Sequence, residues 1–453
     1  MNQDQAAAAR AVTVAHDEHA ALQQELLAQV AWCFPRRESR ATCGQMLAGL
    51  LMELEDKNCW TLAEAVGHLT PDRLQHFLAR ASWDEQQVMA RAARWAIEHL
   101  DDGDTDHTVL IIDETADAKS STDAAGAARQ YSGTLGGVAL CQVAVHLAYA
   151  TSRGHAILDR ALYLPESRAA DEEHRELAHI PDEVMFATKP QLAGDLLERA
   201  HAAGVRAAFA AGDEVYGGRE LRTRIRALDL GYVLAVRSST TVSTHAGRTL
   251  TAKDAVSLIP AGAWMRLRTG SGTKGTRHYD WAMLTILPDD TPDGQDHGHS
   301  ALLVRRHRYT GQTSFYRCWS LRPVPLARLI HVATFRWRIE EDHQLAKQTC
   351  GLDAGQVIRW RSWHRWSTMA LLAYAFIAVA TAHQRQLDGP LVEHLGLVAI
   401  AIPELLRQLR GIVIPDPRRD REHRLTWSIW RRRHQYRARL CHQRWHAYAE
   451  TTP

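Results

Sequence analysis

A chain of 453 residues with 45% hydrophobic and 23% charged side chains has room for about three folding units, which excludes a disordered or fibrous chain. Seven cysteines, odd in number and without a C-x-x-C pair, argue against a disulfide framework and for a reducing compartment. The net charge of +2 hides a segregation: residues 418–445 hold ten arginines against Asp420 and Glu422, a local net of +8, so the other 425 residues carry −6.

The opening MNQDQAAAAR lacks a basic run followed by an apolar stretch, so no secretory signal is expected. Residues 1–105 read as a helical N-terminal region, with apolar residues at three and four spacing. Thr61 is placed as the cap of a short helix running to Gly67, and Thr70-Pro71 opens a second. Ser82-x-x-Glu85 is a capping box for a third helix, with Val88, Ala92, Trp95 and His99 on one face. Two short helices around a glycine suit a DNA-reading unit and any small helical bundle alike.

After Asp101-Asp102-Gly103-Asp104 the texture changes. A short apolar strand at 109–112 ends at Asp113, and strands at 142–149 and 155–164 follow. Then come a helix over 190–203, a strand at 207–211 ending near Asp213, a helix over 219–228 and a strand at 232–236. This order predicts an α/β fold, a mixed sheet flanked by helices. Its first part is 106–236, a β-rich insertion fills 237–325, the core resumes over 326–388, and 389–453 forms a basic helical C-terminal region.

Asp113 and Asp213 each stand at the end of a buried-looking strand, where α/β sheets present their working groups. Each is followed by a glutamate, so one acid of each pair can face the site while the other supports it or points away. Turn-forming aspartates would read the same way. The third element is FRWRIEEDHQLAKQTC, residues 335–350. At about 100° per residue, Arg336, Glu340, His343 and Lys347 fall near 0, 40, −20 and 20°, one stripe of a helix. Carboxylates hold hard divalent cations through oxygen, while arginine and lysine hold phosphates, the combination that phosphodiester chemistry needs. An exposed helix with an i to i+4 arginine and glutamate pair would carry the same letters.

The apolar run 368–382, 15 residues long, falls short of the roughly 20 that span a bilayer and reads as a buried core helix, so no membrane is expected. The 25 histidines show no H-E-x-x-H or regular metal spacing, so no zinc site is assigned. In the basic tail Trp427, Trp430, Tyr436 and Trp445 interleave with arginines, densest at Arg431, Arg432 and Arg433. That mixture suits phosphates plus stacked bases; a solvated helical tail with its aromatics docked on the body is the other reading.

The phrases VLIIDETADAKSS, ARQYSGTLGGVALCQVAVHLAYA, AAGDEVYGG, GYVLAVR, GTKGTRHYDWA and RWRIEEDHQLAKQTCGLD, in this order between residues 50 and 382, resemble bacterial insertion-sequence transposases of the DD(E) superfamily. More narrowly they resemble the group whose glutamate helix carries a tyrosine, arginine, glutamate, lysine signature. The resemblance implies an RNase H-like fold with Asp113, Asp213 and Glu340 as catalytic and metal-binding acids. It further implies two Mg²⁺ ions, with Mn²⁺ as a substitute. The implied partners are double-stranded DNA, both terminal inverted repeats and target, and a second copy of the chain on paired ends. Arg336, Glu340 and Lys347 meet the signature spacing, which selects Glu340 over Glu341 and gives Arg336 and Lys347 the scissile phosphates. Ala333 stands where the signature has its tyrosine, so that role is absent or comes from elsewhere.

Lys119, Arg129 and Tyr131, on the loop after the first acid, are DNA-contact candidates. Trp264, Trp281 and Trp319 in the insertion are candidates to hold an unstacked base if the cut end forms a hairpin; each by itself suits an ordinary core better. The implied activity is the cutting and joining of transposon ends in the bacterial cytoplasm, at the nucleoid. A catalytically inactive DNA-binding repressor and a hydrolase of small phosphoesters are the rival readings.

Overall fold

The computed structural model describes residues 14–272, 275–389 and 391–451. The first 13 residues of the expected N-terminal helical region, and Thr273 and Lys274 of the GTKGTRHYDWA phrase, lie outside the described residues.

Five helices come first: α1 (His16–Ala31), α2 (Arg37–Leu51), α3 (Cys59–Ala65), α4 (Asp72–Ala79) and α5 (Glu85–Leu100). Asn58, not Thr61, caps α3: its side-chain oxygen accepts from the N–H groups of Trp60 and Thr61, and Thr61 Oγ1 accepts from Asn58 N–H in return. Likewise Asp84, not Ser82, caps α5 by accepting from Gln86 and Gln87 N–H at 2.8 and 3.1 Å. A carboxylate there satisfies two open donors and faces the positive end of the helix, an advantage of about 0.5–2 kcal/mol.

The sheet begins with β1 (Val109–Ala118), β2 (Ala128–Ser132), β3 (Gly137–Ala150) and β4 (His155–Tyr163), continues through helix α6 (Lys189–Ala202), β5 (Phe209–Gly212) and helix α7 (Arg219–Ala227), and reaches β6 (Gly231–Val236). β3 pairs antiparallel with β1 and with β4, while β5 and β6 run parallel to β1. Counting β1, β3, β4, β5 and β6 as five successive strands, their lateral order is 3-2-1-4-5, the RNase H-like arrangement. β1 does not stop at Asp113; it stays paired with β3 as far as Ala118, because its polar second half is buried against a cavity and not against solvent.

Apart from a small two-stranded hairpin that pairs Thr241–Ser243 with Thr249–Thr251, the insertion does not form a sheet of its own. Its strands β7 (Met265–Gly272), β8 (Gly275–Ile286), β9 (His299–His307) and β10 (Thr313–Ser320) prolong the main one, in the order β6, β10, β9, β8, β7. The β10 to β6 ladder runs from Phe315 opposite Val236 to Trp319 opposite Tyr232. Over the far strands a small second core gathers Val242, Ala255, Ala282, Leu302 and Phe315. At the junction sits a buried ionic clamp. Arg226 donates to Asp290 at 2.8 Å with both side chains fully buried, Arg222 bonds Asp289 and Asp290, and Tyr232 and Arg317 close the group.

Three helices then return to the core: α8 (Leu326–Phe335), α9 (Trp337–Cys350) and α10 (Trp360–Asp388). α10 is long and apolar enough to cross a membrane by length and composition, yet 94% of its 18-residue apolar window is buried inside the protein. A helix apolar all round is a core helix when other elements surround it. Here α2 and α5 cover one side and β4 another, so that Leu26, Trp95, Ile112, Leu234 and Tyr374 belong to one continuous hydrophobic cluster. The chain ends in α11 (Arg421–Thr451). Its first half docks on the α3 and α4 turn: Trp427 Nε1 donates to His68 O at 2.7 Å, and Trp430 meets Trp60 edge to face at 4.9 Å.

Candidate active site

Register builds the site. Ile112 lies opposite Gly212 in the parallel β1 to β5 ladder, so the next residues, Asp113 and Asp213, stand side by side where β5 ends. Beyond that point β1 continues with β3 as its partner and no strand on the β5 side, which leaves a notch in the sheet. The notch opens into a cavity of about 810 Å³ lined by Asp113, Glu114, Asp213, Arg336, Glu340 and Lys347, among others.

α8 and α9 meet at Arg336, which keeps helical angles (φ −48°, ψ −34°), so the expected stripe survives although the helix is broken there. Arg336 Nη1 donates to Asp113 Oδ2 at 3.3 Å, and its Nη2 lies 2.8 Å from Glu340 Oε1. One turn on, His343 faces His146, the residue paired with Asp113 across the sheet, with ring centroids 4.9 Å apart. Lys347 Nζ is 2.8 Å from Asp117 Oδ1 and donates to Ala116 O at 2.7 Å. The cation is thus held by the far end of the same strand that carries Asp113.

Electrostatics follow from crowding. Burial pushes the Asp113 carboxyl up to about 7; Arg336 pulls the other way, and Asp213 and Glu114 add to the rise. Burial, then Glu114, raises Asp213 as well. Burial also drives His146 down to about 3 and His343 well below its ordinary value, so both imidazoles are neutral.

Carboxylates so close together penalise one another's charge, and a cation relieves them. Arg336 supplies one positive charge between Asp113 and Glu340, and among the described residues no three His, Cys, Asp or Glu side chains converge tightly enough to hold a metal as they stand. The donor set, all carboxylate oxygen, fits a hard divalent cation once the guanidinium gives way.

The other predicted contacts separate. Arg129 and Tyr131 lie on β2, not on a loop, and the exposed Tyr131 lines the cavity rim. Lys119 is buried and donates to Gly355 O at 2.7 Å, which withdraws it from the surface. Trp281 and Trp319 are core residues; Trp319 Nε1 donates to His297 O and its ring carries Arg226 at 4.4 Å. Trp264 is half-buried, with the Arg306 guanidinium 4.0 Å from its ring centroid. Arg431 is tied to Glu64 at 2.6 Å, whereas Arg432 and Arg433 are exposed. Sequence reasoning missed Asp117, His146 and Lys189; only Asp117, four residues after Asp113 on the same strand face, left a readable trace.

Residues 29–256 match the family model described as DDE superfamily endonuclease. The chain belongs to this family. The matched stretch of the DDE superfamily endonuclease contains Asp113 and Asp213, while Glu340 joins them through the fold. Endonucleases of this superfamily generally work with divalent metal ions. A probable transposase for insertion sequence element IS701 from Microchaete diplosiphon is 27% identical over 210 residues, 46% of this chain and 51% of the relative. The chain therefore matches about half the length of that curated relative. Among solved structures, a piggyBac transposase synaptic complex with hairpin DNA aligns with a TM-score of 0.44 and 11% identity, over 92% of this chain and 85% of that one.

Proposed function

We propose that this chain is the DNA transposase of an insertion sequence, cutting transposon ends and joining them to target DNA. The observation that supports it most is the meeting of Asp113, Asp213 and Glu340 with Arg336 in one cavity. Asp113, central and most buried of the three, and its neighbours Asp213 and Glu340 would hold two divalent cations, Mg²⁺ or Mn²⁺. When bound, such ions supply Lewis-acid activation of a water or 3′-hydroxyl and charge neutralisation at the leaving oxygen.

The chain's own groups do the rest. Arg336, freed from Asp113 and Glu340, binds a non-bridging oxygen of the scissile phosphate with its planar fork. Lys347, steadied by Asp117, lends positive potential about three turns along the same face. Tyr131 on the rim offers a stacking surface, in place of the tyrosine absent at Ala333. The N-terminal helices and α11, with its exposed Arg432 and Arg433, bind flanking DNA and assemble a dimer on paired ends.

The test is incubation with labelled ends taken from the DNA flanking the gene, with Mg²⁺ or Mn²⁺. Strand cleavage that disappears in Asp113→Asn is the expected result. Salt-sensitive binding without cleavage would point to a repressor, and turnover of small phosphoesters alone to a hydrolase of another kind.

A further inference from the structure

Successive residues of a strand point to opposite faces. Asp113 turns toward α9, where Arg336 meets it; Glu114 turns the other way, where Lys189 Nζ lies 2.8 Å from its Oε1. Because β5 ends at Gly212, the two faces communicate through the notch, and Lys189 and Arg336 line one cavity from opposite walls.

Lys189 is the first residue of α6. Thr188 caps that helix, its Oγ1 accepting from Gln191 N–H, so the lysine stem starts from a fixed backbone. Glu114 is fixed as well. Its second oxygen accepts from the hydroxyl of the fully buried Tyr216 at 2.5 Å, and Tyr216 closes the turn that Asp213 begins, with Tyr216 N–H donating to Asp213 O. The Lys189 side chain is 24% exposed, drawn in but open to the cavity.

We propose that Lys189 is a phosphate-binding residue of this site, gripping the substrate strand from the wall opposite Arg336. The inference rests on the nuclease reading of the cavity and adds a cation outside the arginine, glutamate, lysine pattern of α9. An ammonium carries three donors. One is directed at Glu114, which leaves two for phosphate oxygens. Glu114 also gives Lys189 a counter-charge of its own, which keeps the lysine from quenching Asp113 and Asp213.

The full-length chain, in Ca²⁺ to prevent cleavage, is titrated onto a mixed-sequence duplex with a single-stranded tail, and affinity is followed by fluorescence anisotropy over about 50 to 200 mM salt. Each phosphate contact contributes about 0.9 to the slope of log affinity against log salt on duplex DNA. Lys189→Gln should lose about that much slope, and Lys189→Arg should keep it. The double variant Glu114→Gln with Lys189→Gln leaves no uncompensated charge and should lose the same amount. Wild-type slope in both glutamine variants overturns the assignment while leaving the nuclease reading intact; wild-type protein that shows no salt-dependent binding removes both.

Discussion

Arg336 and Asp113, 223 positions apart in the chain, share a 3.3 Å ion pair in the lining of the cavity. The same guanidinium reaches Glu340, so two of the three candidate acids share one positive charge that DNA would also claim under the proposed function. Cation binding to the acids should therefore release Arg336 for phosphate. Ca²⁺, a hard cation that the acids would hold through oxygen, is expected to tighten duplex binding by a coupling of about 1–3 kcal/mol, or 5–150-fold. Arg336→Gln should bind DNA equally with and without Ca²⁺, as read by anisotropy.

Asp113 bears the cost of this crowding. Its folded carboxyl holds a proton more tightly than an unfolded one, so its contribution to stability is fully present below the ordinary carboxylate range and is lost as pH rises through about 7. Asp113→Asn should then stabilise the metal-free protein at pH 8, by on the order of 2–4 kcal/mol, with the gain shrinking steadily toward pH 4. Melting curves across that range check it. Added Mg²⁺ should raise the melting temperature of the wild type and leave the variant unmoved.

Glu340 and Glu341 are neighbours with different surroundings. Glu340 faces the cavity; Glu341 is exposed and pairs with Arg338 at 3.3 Å and His155 at 3.6 Å. Removing a metal-holding carboxylate forfeits several kcal/mol of charge stabilisation, so Glu340→Gln should slow cleavage roughly 10³-fold. Glu341→Gln, losing only surface pairs, should stay close to the wild-type rate. Equal losses in single-turnover assays would reassign the third acid.

The clamp under the insertion concentrates charge where water is excluded. Asp290 receives Arg226, Arg222 and Tyr232, and breaking a buried pair from one side costs about 3–5 kcal/mol. Asp290→Ala should lose that much in denaturant unfolding, with hydrogen exchange rising first in β10 and β9.

α11 divides by exposure. Trp427 is buried, while Arg437, Arg439 and Arg444 lie on the exposed half. Truncation after Gln435 should leave the melting temperature unchanged and reduce the salt slope of DNA binding by up to about 2.7, three contacts at about 0.9 each.

Much of the site was legible because its acids mark element ends or helix stripes. Asp213 stands directly after β5 as read, and Arg336, Glu340, His343 and Lys347 share one face despite the break at Arg336. β1 outruns the expected 109–112 for a physical reason: the residues after Asp113 include polar side chains that line a cavity, so no apolar periodicity marks them as strand. For Trp281 and Trp319 the sequence alone favours a core position but does not say which strands bury them. Once β10 pairs with β6, both fall into the core. Lys189 left no trace, since a lysine before a proline at a helix start is common, and its partner Glu114 is adjacent in space alone.

The ladder between β6 and β10 makes the acids and the insertion a single stiff plate. A lobe on a flexible tether can fold down over its substrate; this one can swing only by tearing backbone hydrogen bonds one strand removed from β5. Under the proposed function the duplex, and not the plate, would do the bending, and sequences that kink easily at the cut position would gain an advantage no side chain needs to read.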